Sequence, residues 1–333
     1  MSRLTDAIAA ERRRLAQREA DAVRRLLAYH DVILDALTDD LAAVTEMIET
    51  AIRNGEPVNI DWLRRQERYH RLMDDVQAHY RQYALIVQDE AASAQWAGAR
   101  QGAEDAIERV TAMGLTTQVM TARVNVPALE RLMGALSPGS PLRQVIDRYG
   151  DTAASIIEQE LIAGLGRGAG PREVARVIRT RVDGVMMSRS LALTRTELMR
   201  AYRGSLFDQY GAMGFTQWQW SAAMSTRTCL ACISRSGKVY SMDNPFMPAH
   251  VNCRCSPVPV HPAATARIPS GEEWFARQSA DVQRRMIPSE AAYRAYRDGT
   301  LTLEDFAGVH RDPVWGESVF QRSGRAALQA RGI

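Results

Sequence analysis

The chain has 333 residues, enough for two domains and a sizeable buried core. With 46% hydrophobic and 24% charged residues it has the balance of an ordinary globular protein, and a net charge of +3 is too small to argue for nucleic acid by itself. No stretch approaches the roughly 20 apolar residues that cross a bilayer, and the opening MSRLTDAIAAERRR lacks the apolar core of a secretion signal.

The low aromatic share, 7%, and the abundance of alanine and arginine favour helix over sheet. Over the first 112 residues the reading is helix throughout. Ile33, Leu37, Leu41, Val44, Ile48 and Ile52 recur at steps of three and four, which is one apolar stripe on a helix. Asn54, Gly55 and Pro57 stop it. Trp62, Tyr69, Leu72, Val76, Tyr80, Tyr83 and Val87 form a second stripe, continued by an alanine-rich run to Val110. At 1.5 Å per residue that second helix would be about 70 Å long. Residues 1–115 therefore read as a long helical hairpin or arm, with the aromatic stripe assigned to packing and not to a cofactor.

Residues 120–190 form a helical middle region of shorter helices. Asn125-Val126-Pro127 starts one, Ser137-Pro138-Gly139-Ser140-Pro141 separates the next, and Pro171 suits the first turn of another. The run from Gly164 to Gly170 has the look of a phosphate-cradling loop. It lacks the Lys-Ser/Thr ending and follows a helical pattern, so it reads as a helix-to-helix linker.

From Phe215 the texture changes. Thr216, Trp218 and Trp220 alternate with Gln217 and Gln219, a strand period. Val239 and Tyr240, after Ser236-Gly237, read as a second short strand, and Pro257, Pro259 and Pro262 close the region. Residues 263–333 then read as a helical C-terminal tail, with helices over Glu272–Arg285, Ser289–Arg297 and Leu303–Phe306 and a loose last ten residues. The fold class is thus mainly α: long N-terminal helices and a helical middle section, followed by a small α+β Cys/His metal-binding module at residues 191–262.

All four cysteines of the chain lie within that module, as Cys229-x-x-Cys232 and His250-x-x-Cys253-x-Cys255. A C-x-x-C turn aims two thiolates at one point, and thiolates with imidazole suit zinc. Strand-like spacing turns the sulfurs of Cys253 and Cys255 to one face. Five candidates exceed the four ligands zinc takes, so one is spare, or the set is three cysteines and His250. A structural Zn2+ would fasten a stretch with few large apolar residues. Two alternatives stand beside it: a pair of disulfides formed outside the cell, and a redox or catalytic cysteine using His250 as base. No orienting acid or oxyanion loop accompanies His250, which points away from an enzyme.

Lys238 is the only lysine among 42 basic residues. Arginine suits phosphate, but here the arginines are interspersed with acids, so codon bias explains them as well.

The residues from Leu191 to Pro259 resemble the phage Mu protein F-like, or SPP1 gp7-like, head morphogenesis family. The resemblance rests on Thr194-Arg195-Thr196-Glu197, Ala201-Tyr202-Arg203, Gly214, Arg227-Thr228-Cys229-x-x-Cys232, Gly237-x-x-Tyr240 and Pro248-x-His250-x-x-Cys253-Arg254-Cys255. Trp274-Phe275, with Gln278, Val282 and Gln283, looks like the helical tail found downstream in such proteins. Val251 departs from the family's usual proline after the histidine. Within this stretch Arg195 and Glu197 are polar groups able to pair across the module, the plain alternative being a solvated helix face.

The resemblance implies a minor head protein of a tailed bacteriophage, without enzymatic activity. It would sit inside the virion head near the portal after assembly in the host cytoplasm. Its implied partners are the portal protein, a major capsid or scaffold protein, and packaged double-stranded DNA bound without sequence preference. The rival expectation is a phage-encoded metal-dependent nuclease or toxin-delivery protein carrying the same domain.

Overall fold

The structure is a computed structural model, described here for residues 3–115, 126–127, 141–167, 169, 171–244, 246, 250, 253–264, 268–312 and 316–333. Its elements in chain order are helices α1 (Arg3–Ala36), α2 (Thr38–Arg53), α3 (Ile60–Leu63), α4 (Glu67–Ala112), α5 (Pro141–Asp147), α6 (Tyr149–Arg167) and α7 (Pro171–Ala212). They are followed by β1 (Gln217–Ser221), α8 (Leu230–Ile233), β2 (Val239–Ser241), β3 (Ser256–Val260), α9 (Gly271–Ala276), α10 (Ala280–Met286) and α11 (Glu290–Arg297). A 3-10 turn (Leu303–Phe306), β4 (Ala307–Asp312), β5 (Gly316–Gln321) and α12 (Gly324–Ala330) complete the chain. The chain divides into two compact units, each made of separate segments: residues 16–94 with 131–195, and residues 1–15 with 95–130 and 196–333.

The first of these units is built of helices alone among its described residues. Both apolar stripes read from the sequence face its core: Ile33, Leu37, Leu41, Val44 and Ile48 from one, Tyr69 through Val87 from the other. Ile146, Tyr149, Ile157, Leu161, Ile178 and Val182 from α5, α6 and α7 pack against them. The stripes fray at their ends. Ile52 is 51% exposed and Ala51 takes the inward place, while Trp62 is half-buried beside the fully buried Leu63. The second helix starts at Glu67, since the chain turns between Leu63 and Glu67. The middle of the chain differs more. Where shorter helices are expected, α7 runs unbroken for 42 residues from Pro171, its first-turn proline. Gly164 and Gly166 lie within α6, and a Cβ at Gly164 would meet Val174 at 2.5 Å, so that glycine is there for close packing. The helix start at Asn125-Val126-Pro127 and the breaker at residues 137–141 fall largely outside the described residues.

In the other unit α7 ends at a left-handed glycine, Gly214 (φ +81), and the chain turns into β1. β1 is the centre of a three-stranded antiparallel sheet ordered β2-β1-β3. Pro257 and Pro259, expected to end the region, are strand residues opposite Trp220 and Trp218. Their position on an edge strand explains this: the two prolines alternate, so both missing N–H groups fall on the side that needs no partner. The tail is α+β and not only helical. β4 and β5 form an antiparallel hairpin in which Gly308 stands opposite Phe320, whose ring lies where a Cβ at 308 would be. The last residues, expected to be loose, carry α12, capped by Ser323 accepting from Ala326 N–H at 3.2 Å.

Candidate metal centre

Cys229 caps α8, a single turn whose buried Leu230 and Ile233 anchor it in the core. That turn fixes Cys229 and Cys232 on one side. Trp218 and Trp220 from β1 form the apolar wall behind them, with Tyr240 stacked on Trp218 at 4.6 Å and Phe246 on Trp220 at 4.5 Å. Cys253 and Cys255 lead into β3 from the other side, and both are buried.

All five sequence candidates converge. The donor atoms of Cys229, Cys232 and His250 lie within 4.8 Å of one another, as do those of Cys232, Cys253 and Cys255. Cys232 belongs to both groups. His250 Nε2 is 3.2 Å from Cys229 Sγ and 3.5 Å from Cys232 Sγ, and Cys232 Sγ is 3.9 Å from Cys253 Sγ. None of the four cysteines is in a disulfide.

The electrostatics match a metal-binding cluster. A hydrogen bond from the Cys232 thiol lowers the Cys229 thiol to about 5 against the cost of burial, with His250 adding to the effect. Cys232 also donates toward Cys253, which lies well below the ordinary thiol range. Cys232, holding its proton for these neighbours, is pushed the other way. Protons shared among several sulfurs are what a dication replaces, since metal ligands must be thiolates. Thiolates with an imidazole in a buried pocket fit zinc.

A third group of close donors, Glu11, Asp105 and Glu108, is a different case. Arg14 bonds Asp105 at 2.7 Å and Glu108 at 2.6 Å, and Arg109 holds Glu11. These carboxylates are already balanced by guanidinium groups, so a cation has little to gain there.

The cluster also rests on a residue the spacing of cysteines does not reveal. Arg203, 5% exposed on α7, donates Nε to the Cys255 carbonyl at 2.7 Å and Nη2 to the Cys253 carbonyl, with its guanidinium over the Phe246 ring at 5.4 Å. Arg195 and Glu197 do not pair with each other. Arg195 bonds Glu19 at 2.9 Å, while the buried Glu197 accepts from Gln95 at 2.7 Å and pairs with Arg200. Burial raises the Glu197 carboxyl above its usual range, so it is no solvated face.

The fold and site together define a helical protein with a small Cys/His module. Residues 155–258 match the family described as Phage Mu protein F like protein, so this stretch of the chain, which holds the Cys/His cluster, is similar to that family. The match covers under a third of the chain, begins upstream of the resemblance read from the sequence, and stops before the tail. No curated protein and no solved structure matches the chain. Among the described residues no helix is long and apolar enough to cross a membrane.

Proposed function

We propose that this protein is a minor head protein of a tailed bacteriophage, carried in the virion head near the portal, where it binds the portal protein and touches packaged DNA. The observation that carries this reading is the family match over residues 155–258, which holds the whole Cys/His cluster. Capsid-related partners follow from the family; the portal is the specific partner we infer. The long helices offer extended faces to other subunits, and the arginines offer phosphate contacts.

Within that role the cluster binds one structural Zn2+ through four of Cys229, Cys232, His250, Cys253 and Cys255. The ion supplies a cross-link between α8 and the segment entering β3, two parts of the chain joined by seventeen intervening residues, 233–249. A thiolate-rich donor set, with Cys232, Cys253 and Cys255 buried and Cys229 and His250 partly so, is the kind that closes around a structural zinc. The protein acts by assembly and not by catalysis.

The test is crosslinking in purified heads from residues 1–112, with metal analysis of the purified chain. The expected outcome is crosslinks to the portal protein and about one zinc per chain. Absence from heads would overturn the assembly role, and crosslinks confined to other head proteins would overturn the portal as its partner. Cleavage of DNA or RNA with added divalent metal would favour the nuclease.

A further inference from the structure

We propose that Arg203 is a positioning residue of the metal centre, holding Cys253 and Cys255 in ligating geometry and balancing the charge of the metal–thiolate group. This rests on the zinc reading above.

Two observations carry it. First, one guanidinium bridges the carbonyls of Cys253 and Cys255. In an extended chain, carbonyls two residues apart project the same way, and so do the two side chains. A planar fork that binds both carbonyls therefore locks the conformation that turns both sulfurs to one face. Second, Arg203 is buried, and among the described residues no carboxylate pairs with it; its other close neighbour is the Phe246 ring. A buried cation is costly unless a counter-charge stands near. Three thiolates and a neutral imidazole around a divalent cation leave one net negative charge, and four thiolates leave two. Arg203 supplies a positive charge beside that anion, through the peptide groups of its own ligands. Outer contacts of this kind orient the ligands, and losing one costs about 10–100-fold in metal affinity.

The experiment compares the full-length wild type with Arg203→Gln and Arg203→Lys. Zn2+ affinity is read by chelator competition, and coordination by the absorption of bound Co2+. Thermal unfolding of each protein, with and without metal, separates a metal effect from a general one. Gln keeps an amide donor but loses the charge and the fork; Lys keeps the charge but binds a single carbonyl. We expect Gln to weaken Zn2+ binding by about ten- to a hundredfold, with an altered Co2+ spectrum, Lys to fall between, and the metal-free unfolding temperatures to stay together. Wild-type affinity and spectrum in Arg203→Gln would overturn the proposal while leaving the zinc reading intact. A fall in metal-free stability that accounts for the whole loss of affinity would also overturn it. A wild type that binds neither Zn2+ nor Co2+ would remove both readings.

Discussion

At the scale of single residues, the polar groups that matter most are buried and paired over long sequence separations. Arg109 and Glu11, each 1% exposed, form a bidentate pair with Nε–Oε2 at 3.0 Å, and Arg109 also donates to the hydroxyls of Tyr202 and Tyr210 and to Ser256 Oγ. Burial opposes the charge, but the Glu11 carboxylate beside it lifts Arg109 well above its ordinary value. In the helical unit, His30 is fully buried between Tyr80, whose hydroxyl is 2.8 Å from Nε2, and Asp183, whose carboxylate is 2.7 Å from Nδ1. Burial lowers the His30 pKa below 6.5, against the opposing pull of Asp183 and Asp31. The folded state therefore binds fewer protons than the unfolded chain just below pH 6.5, and stability must rise with pH through that window and fall on acidification. His30→Gln is predicted to remove this slope, at most about 1.4 kcal/mol per pH unit. Chemical denaturation at a series of pH values checks it: an unchanged slope in the variant sinks the assignment. None of these pairings is legible in the sequence, because a buried Glu, Arg or His on a helix looks the same as a solvated one until its distant partner is placed.

At the scale of elements, periodicity carried the helices and failed where packing depends on what is absent. The alanine-rich end of α4 has no large apolar stripe to read, yet it makes a very close backbone approach to α7. A Cβ at Gly98 would lie 2.3 Å from the Leu198 carbonyl oxygen, and one at Gly102 would lie 2.2 Å from that of Tyr202. Both obstacles are backbone, which cannot turn aside as a side chain can. Gly102→Ala gains up to about 1 kcal/mol of helix propensity but overpacks the contact by about 3 kcal/mol. The expected net loss is about 2 kcal/mol, measured by urea unfolding. Gly204→Ala on α7 meets nothing within 4 Å and is expected to stabilise by about 0.5–1 kcal/mol. If both substitutions behave alike, the close approach is not what Gly102 provides. The strand β3 was hidden for a related reason: two prolines forbid a central strand, and only the sheet order shows that this one is an edge.

At the scale of the molecule, the Cys/His cluster was the most legible feature, since ligand spacing within one short stretch is a local signal. The tail was the least, because its core forms only against the module. Leu230 and Ile233 of α8 pack with Phe275, Ile287, Leu301 and Phe306, and Gln321 of β5 accepts from Leu230 N–H at 2.7 Å. The same turn carries Cys229 and Cys232 at its start and within it. Metal removal by a strong chelator is thus predicted to loosen the tail as well as the module. Hydrogen exchange should rise in β5 and α9 together with α8, while the core of α2 and α4 stays protected. Exchange confined to residues near the cysteines would show that the two cores are not coupled.

The division of the chain into interleaved segments has a consequence for synthesis. Residues 16–94 and 131–195 are complete once the ribosome has passed Arg195, so that unit can form early. The other unit includes residues 1–15, but Glu11 waits for Tyr202, 191 positions on, and Arg12 waits for Ser221, 209 positions on. Glu11 and Arg12 lack these partners until the chain has been made past Ser221. Their pairing is the slow event expected of contacts so far apart, and it follows completion of the helical unit although these residues precede that unit in the sequence.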